Sequence, residues 1–193
     1  MNDYPEYVEA NGHTYKINTD FRVVIECNKI AEDENINAIE RPLAILCMLF
    51  GPEALDHKED LEELFELAQL YICCGQKPKK SNKKPDMDFV KDMPYIEASF
   101  MSDYNIDLEN VEMHWWKFYT LLNGLSNSEL GNCCVLNRIR NFRNFDPKEI
   151  KDTKKRNEII EQQKEIMLDT KKHSKEKEKE VNDILKKLGI ERK

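Results

Sequence analysis

Apolar positions in this chain follow three patterns: a short alternation at the start, helical spacings through the middle, and a sparse scatter at the end. Tyr7 and Val8 precede Asn11-Gly12, and His13, Tyr15 and Ile17 alternate after it. Asn-Gly supplies the two positive-φ residues of a tight type I′ turn, so the pattern predicts a β-hairpin. Val8, Tyr15 and Ile17 would then cover a helical layer, with His13 exposed beside the turn. Thr19 or Asp20 can cap a helix to about Glu32, with Phe21, Val24, Ile25 and Asn28 on one side. A second helix is expected from near Ala38, with Pro42 in its first turn and Leu43, Leu46, Cys47 and Phe50 along it, stopped by Gly51-Pro52. Leu61, Leu64, Phe65, Ala68 and Tyr71 place a third from about Asp60 to Cys74, closed by Gly75.

The stretch Gln76 to Pro85 is polar, cationic and bounded by prolines, which predicts a linker. Beyond it come Phe89, Val90, Pro94, Tyr95, Ile96, Phe100 and Met101, with Asn105 expected to turn the chain. Asn110 is placed to cap the most apolar helix, Val111 to Leu122. Val111, Trp115, Phe118, Leu122 and Leu125 form its stripe, which Trp116 and Tyr119 broaden. Gly124 ends it, and Ser126 or Asn127 starts a helix carrying Leu130, Val135, Leu136 and Ile139. Asp146-Pro147-Lys148-Glu149 reads as a capping box. It predicts a projecting helix from Lys148 to about Leu168, and an open remainder in which Val181, Ile184, Leu185 and Leu188 could make one docking turn.

The fold class that follows is mainly α: a helical bundle with an N-terminal β-hairpin and a charged C-terminal helix or tail. The expected division is 1–76 as hairpin and first helical half, and 77–85 as a flexible lysine-rich linker. Residues 86–146 are the second half with the aromatic helix, and 147–193 a charged extension, partly disordered.

Charge sharpens this division. Residues 147–193 hold 15 Lys+Arg and 11 Asp+Glu, a net of +4, which leaves the preceding 146 residues at −11 within a whole-chain charge of −7. An acidic body repels phosphate backbones, so nucleic acid is not an expected partner. Leu43 to Phe50 is the longest apolar run and is far too short to span a membrane. The polar N-terminus (Asp3, Glu6, Glu9) lacks a signal-peptide pattern, so the chain is expected in the cytosol where it is made. Cys27, Cys47, the pair Cys73–Cys74 and the pair Cys133–Cys134 lack zinc-knuckle spacing and read as buried, reduced thiols.

No catalytic motif emerges. Glycine-rich phosphate loops, nucleophile elbows and paired-histidine zinc helices are all missing from the sequence, so no catalytic, cofactor-binding or metal-binding residues are assigned and no cofactor is expected. His114, with Asp103, Asp107 and Glu112 nearby in sequence, reads as a residue at the edge of a core. The aromatic helix is the better candidate. Neighbouring tryptophans differ by about 100° around a helix, so Trp115 and Trp116 cannot both face one core. One packs inside; the other covers a second helix or lies on the surface as an interface anchor. The candidate protein-binding residues are Trp115, Trp116, Phe118, Tyr119 and Leu122.

Glu6-Tyr7-Val8 and Gly12 to Arg22, the run Ile96 to Met101 with Tyr104, Ile106, Asp107 and Leu108, Glu112 to Phe118 with Leu122 to Leu125, and Arg138-Ile139-Arg140, Asp152 and Lys154-Lys155-Arg156 together resemble the bacteriophage "gene product fifteen" family. That family occurs in tail modules of long-tailed phages of Gram-positive bacteria. The resemblance covers about Tyr4 to Leu168 and departs in the linker and the tail. It implies a non-catalytic tail assembly chaperone in the host cell cytoplasm, with the phage tape-measure protein, the tail-tube protein and further copies of itself as partners. Alternatives within the same reading are a tail or connector component kept in the virion, or a regulator that binds a host protein.

Overall fold

The computed structural model of the chain describes residues 4–77, 85–127 and 133–168. It is mainly α, with a two-stranded antiparallel hairpin, β1 (Tyr7–Ala10) and β2 (His13–Lys16), followed by seven α-helices among the described residues. These residues form two compact units. The first comprises 4–77 with 113–119; the second comprises 85–112, 120–127 and 133–168.

In the first unit the hairpin pairs Val8 with Tyr15 and Ala10 with His13. Asn11 (φ 47°) and Gly12 (φ 87°) make the turn, the backbone this dipeptide favours. Helix α1 (Phe21–Glu32) starts at Asp20, whose carboxylate accepts from the Arg22 amide. Helix α2 (Glu40–Phe50) is led in by Asn37, whose side-chain oxygen accepts from the Ile39 and Glu40 amides, and Gly51 ends it at φ 83°. Helix α3 (Leu61–Ile72) closes in a Schellman turn: Gly75 donates to the Leu70 carbonyl and Cys74 takes the left-handed position usually held by glycine. Val24, Ile25, Leu46, Leu49, Leu64 and Ala68 form its core together with Trp115 and Phe118.

The second unit is built on α4 (Met93–Tyr104) and α6 (Val135–Asn144). Ile96, Phe100 and Leu136 are fully buried. The buried Ser99 hydroxyl donates to the Tyr95 carbonyl and accepts from the Leu136 amide, stitching one helix to the other. Asn105 ends α4 at φ 54°, as its sequence position predicts. The strongest tie is ionic. Arg143 on α6 donates to both oxygens of Asp92 at 2.6 Å, and neither side chain is more than 6% exposed. Its Nε also donates to the Ile166 carbonyl and its Nη1 to the Asp86 carbonyl.

Several expectations are corrected. The aromatic helix α5 spans Trp115–Asn123 rather than starting at Val111. Residues just ahead of it pair with the chain before α1: Phe21 donates to the Met113 carbonyl and Trp115 to the Thr19 carbonyl, so these groups are committed before a helix can use them. Asn110 consequently bonds Asp107 instead of capping. Ser126 and Asn127 do not start a helix either. Asn127 forms a bridge with Cys133, and α6 begins at Val135 with the Cys134 sulfur accepting from the Asn137 amide; Leu130 lies outside the described residues.

The Asp146 capping signal produces only a 3-10 turn, Pro147–Glu149. The Arg156 guanidinium takes the Ile150 carbonyl, and Asp152 caps a separate helix, α7 (Thr153–Ile166). That helix does not project: Gln163 donates to the Phe142 and Phe145 carbonyls, and Arg143 to Ile166, so it lies along α6. Residues 113–119 accordingly belong with the first half of the chain and 147–168 with the second, unlike the sequence-based division. The expected linker falls almost wholly on 78–84, and the expected disordered tail and its docking turn on 169–193, outside the described residues.

Candidate interaction site

The two adjacent tryptophans have a shared task. A helix leaves its last four carbonyls without intrahelical partners. Trp115 Nε1 donates to the Ile72 carbonyl and Trp116 Nε1 to the Tyr71 carbonyl, both at 2.9 Å, so successive indoles hold successive carbonyls at the end of α3. Trp115 is buried and lies against Phe118, which stacks on Phe21 with ring centroids 4.5 Å apart. Trp116 is half-buried among Tyr71, His114 and Tyr4. Its indole rim reaches Gly75 so closely that a Cβ there would sit 3.2 Å from it.

His114 fixes the entry to α5. Its Nδ1 accepts from the Trp116 amide at 3.0 Å and its Nε2 faces the Pro5 carbonyl at 3.1 Å. The tautomer with the proton on Nε2 satisfies both contacts. The neighbouring carboxylates are occupied elsewhere: Asp103 accepts from Ser126 and Ser102, and Asp107 from Glu109 and Asn110. Burial opposes the ionised form of Asp103, yet the Ser126 and Ser102 hydrogen bonds hold its carboxyl below the usual range.

These positions revise the proposed binding surface. Trp115, Phe118 and Leu122 are covered by the chain itself, so they offer little surface to a partner. Trp116 is half-buried, and Tyr119, 36% exposed, is the accessible member of the five.

Two features were not read from the sequence. Asp60, expected only as the first residue of a helix, is fully buried. It accepts from Asn11 Nδ2 at 3.1 Å and from Tyr15 Oη at 2.5 Å, and His13 Nδ1 lies 2.7 Å from it. The hairpin is thereby pinned on the start of α3, and the Asn11 amide adds a bond to Glu63. Tyr15 and His13 hold the Asp60 carboxyl below its usual range against the cost of burial. Burial and the Asp60 charge push the Tyr15 phenol up to about 12. His13 remains half-exposed and stacks on His57.

The second feature is α2. From Pro42 to Phe50 it has no polar side chain. Leu46, Leu49 and Phe50 are buried, with α2 packed against α1 and α3, while Leu43, Ala44, Ile45, Cys47 and Met48 are half-buried. A helix apolar on every side ordinarily lies wholly inside a protein. The available signal was its unbroken apolar run, which the helical-stripe reading reduced to one face.

The six cysteines are all free thiols. Cys27 and Cys134 are buried and the other four half-buried, which corrects the expectation of uniform burial. Burial pushes Cys27 up to about 12 and Cys74 up to about 11. Among the described residues, no three His, Cys, Asp or Glu side chains are placed to hold a metal ion, and no helix is long and apolar enough to cross a membrane. In the second unit a cleft of about 710 Å³ is lined by Ser102, Asp103, Tyr104, Ser126, Cys133 and Arg138 among others.

A family model described as "Bacteriophage Gp15 protein" matches residues 1–168. No curated protein and no solved structure matches the chain.

Proposed function

This chain belongs to the bacteriophage Gp15 family, and from that premise we propose that it is a non-catalytic chaperone of phage tail assembly. It would bind the tape-measure protein in the host cytoplasm, keep it soluble, and bring tail-tube subunits to it. The family match over 168 residues is the observation that carries the reading. The chemistry of the interior supports it. The two carboxylates that are fully buried among the described residues, Asp60 and Asp92, accept from donors of the chain itself, so neither stands ready to move a proton for a substrate. Tyr119, packed against the buried Trp115 and partly exposed, supplies an aromatic contact of the kind that anchors protein interfaces.

Co-expression with the tape-measure protein of the same phage tests this. The soluble fraction of that partner should rise, and Tyr119→Ala should weaken co-purification while leaving the melting temperature unchanged. Mass spectrometry of purified particles should find the chain absent. A stoichiometric copy number in the virion would assign it to the particle instead, and unchanged solubility of the tape-measure protein would remove the chaperone role.

A further inference from the structure

We propose that His13 and His57 form a binding site for one divalent transition ion, zinc or nickel, which ties the hairpin to the turn ahead of α3. The inference goes beyond the chaperone reading and stands without it.

The site joins two segments far apart in the chain. His13 opens β2, and His57 stands in the bend between two 3-10 turns, Pro52–Leu55 and Lys58–Asp60. Their rings stack with centroids 4.0 Å apart and planes 16° from parallel, and the side chains are 44% and 43% exposed. An ion from solvent can therefore reach both imidazoles. Two Zn–N bonds of about 2.0–2.1 Å at a tetrahedral angle put their nitrogens about 3.4 Å apart, a little closer than the rings stand now. Parallel rings aim their lone pairs side by side, so the ion closes the site by turning the His57 ring about χ2, a broad torsion.

The support behind His13 is that of a metal ligand. Asp60 is fully buried and lies 2.7 Å from His13 Nδ1, so that nitrogen donates to the carboxylate and the Nε2 lone pair is left for a metal. Such a carboxylate orients a metal-binding imidazole and raises its basicity. Tyr15 Oη and Asn11 Nδ2 donate to Asp60 in turn and hold it in place. The surroundings favour a cation. From Glu53 to Glu66 the chain has seven Asp+Glu and one lysine, and Glu59 Oε1 is 3.8 Å from His57 Nδ1. Imidazole ligands suit zinc and nickel, whereas magnesium and calcium take oxygen. Two protein ligands make an open site, which leaves its other positions to water or to a donor from another molecule. His114 is no rival, because the Trp116 amide and the Pro5 carbonyl engage its two nitrogens.

Isothermal titration of the full chain, carrying no affinity tag, with zinc chloride alone should show one ion bound per chain. The ion should also raise the melting temperature, since it binds the folded arrangement. His57→Gln should lose both effects while its metal-free melting temperature stays at the wild-type value, and His13→Ala should lose them as well. His173→Ala, in the tail, should bind as the wild type does. Asp60→Asn should keep the stoichiometry but bind about 10–100-fold more weakly, the loss that follows when the group behind a ligating histidine is changed. Binding should fade as pH drops through about 6.5, where protons compete for free imidazole. Failure of the wild type to bind zinc would overturn the proposal. So would undiminished binding by His57→Gln, which would give the ion to the thiols.

Discussion

Removing the Arg143 guanidinium while keeping its stem measures what holds the second unit together. In Arg143→Met the aliphatic packing is retained, but Asp92 keeps only the Asp88 amide as a partner inside a site with no solvent exposure. Breaking a buried ion pair from one side costs about 3–5 kcal/mol, because the remaining charge is left uncompensated. That is a large share of the roughly 5–15 kcal/mol that stabilises an ordinary domain. The carbonyls of Asp86 and Ile166 lose their donor in the same step, which loosens the hold of α6 on the end of α7.

Asp92→Leu should cost a similar amount, and the double variant Asp92→Leu/Arg143→Met should recover much of it, since an apolar pair of similar volume can replace a buried ion pair. The coupling energy should fall near the top of the ~0.5–3 kcal/mol range of contacting residues. Urea denaturation followed by far-ultraviolet circular dichroism gives the free energies, and hydrogen exchange places the loss on α4 and α6. The loss in the single variant should persist in 1 M salt, at which an exposed pair is screened within about 3 Å. A loss below about 1 kcal/mol, the value of a surface pair, or strictly additive single variants, would refute the reasoning.

Two further outcomes follow from the first unit. Asp60 has its folded-state pKa below the unfolded value near 3.9, so its contribution is present above that pH and is lost as pH falls through the folded value. The melting temperature should therefore drop on acidification below about pH 4, and the drop should be smaller in Asp60→Asn; identical pH profiles would show that the network is energetically idle. Gly75→Ala should cost about 1–2 kcal/mol for its positive φ and shift tryptophan emission, because the new methyl presses on the Trp116 ring. Unchanged emission together with unchanged stability would contradict the described packing.

Local chemistry was legible wherever it acted locally. Asn11-Gly12 announced the hairpin, Asp20 the start of α1, and Asn105 the end of α4, because each controls backbone within a few residues of itself. The misreadings involve partners far away in the chain. Whether Val111 to His114 would be helical depended on Thr19 and Phe21, and whether Asp146 would open a long helix depended on Arg156 and Asp152 competing for the turn. The same reasoning explains the binding surface. Helical spacing identified Trp115, Phe118 and Leu122 as apolar, but it contains no information about what covers them. Asp60 was invisible for the same cause: its donors come from residues 45 to 49 positions earlier.

The grip of the two indoles on α3 has a consequence for synthesis. Trp115 and Ile72 are 43 positions apart, so a nascent chain that has reached residue 112 still lacks the piece that finishes its own N-terminal half. At ~5–20 residues per second, translation from Lys77 to Tyr119 takes about 2–8 s, during which the carbonyl end of α3 and the apolar residues beneath it wait for their cover. A message cut short in that window would yield a product with hairpin and helices but no closed interior. The order of the gene itself thus makes completion of the first half conditional on starting the second.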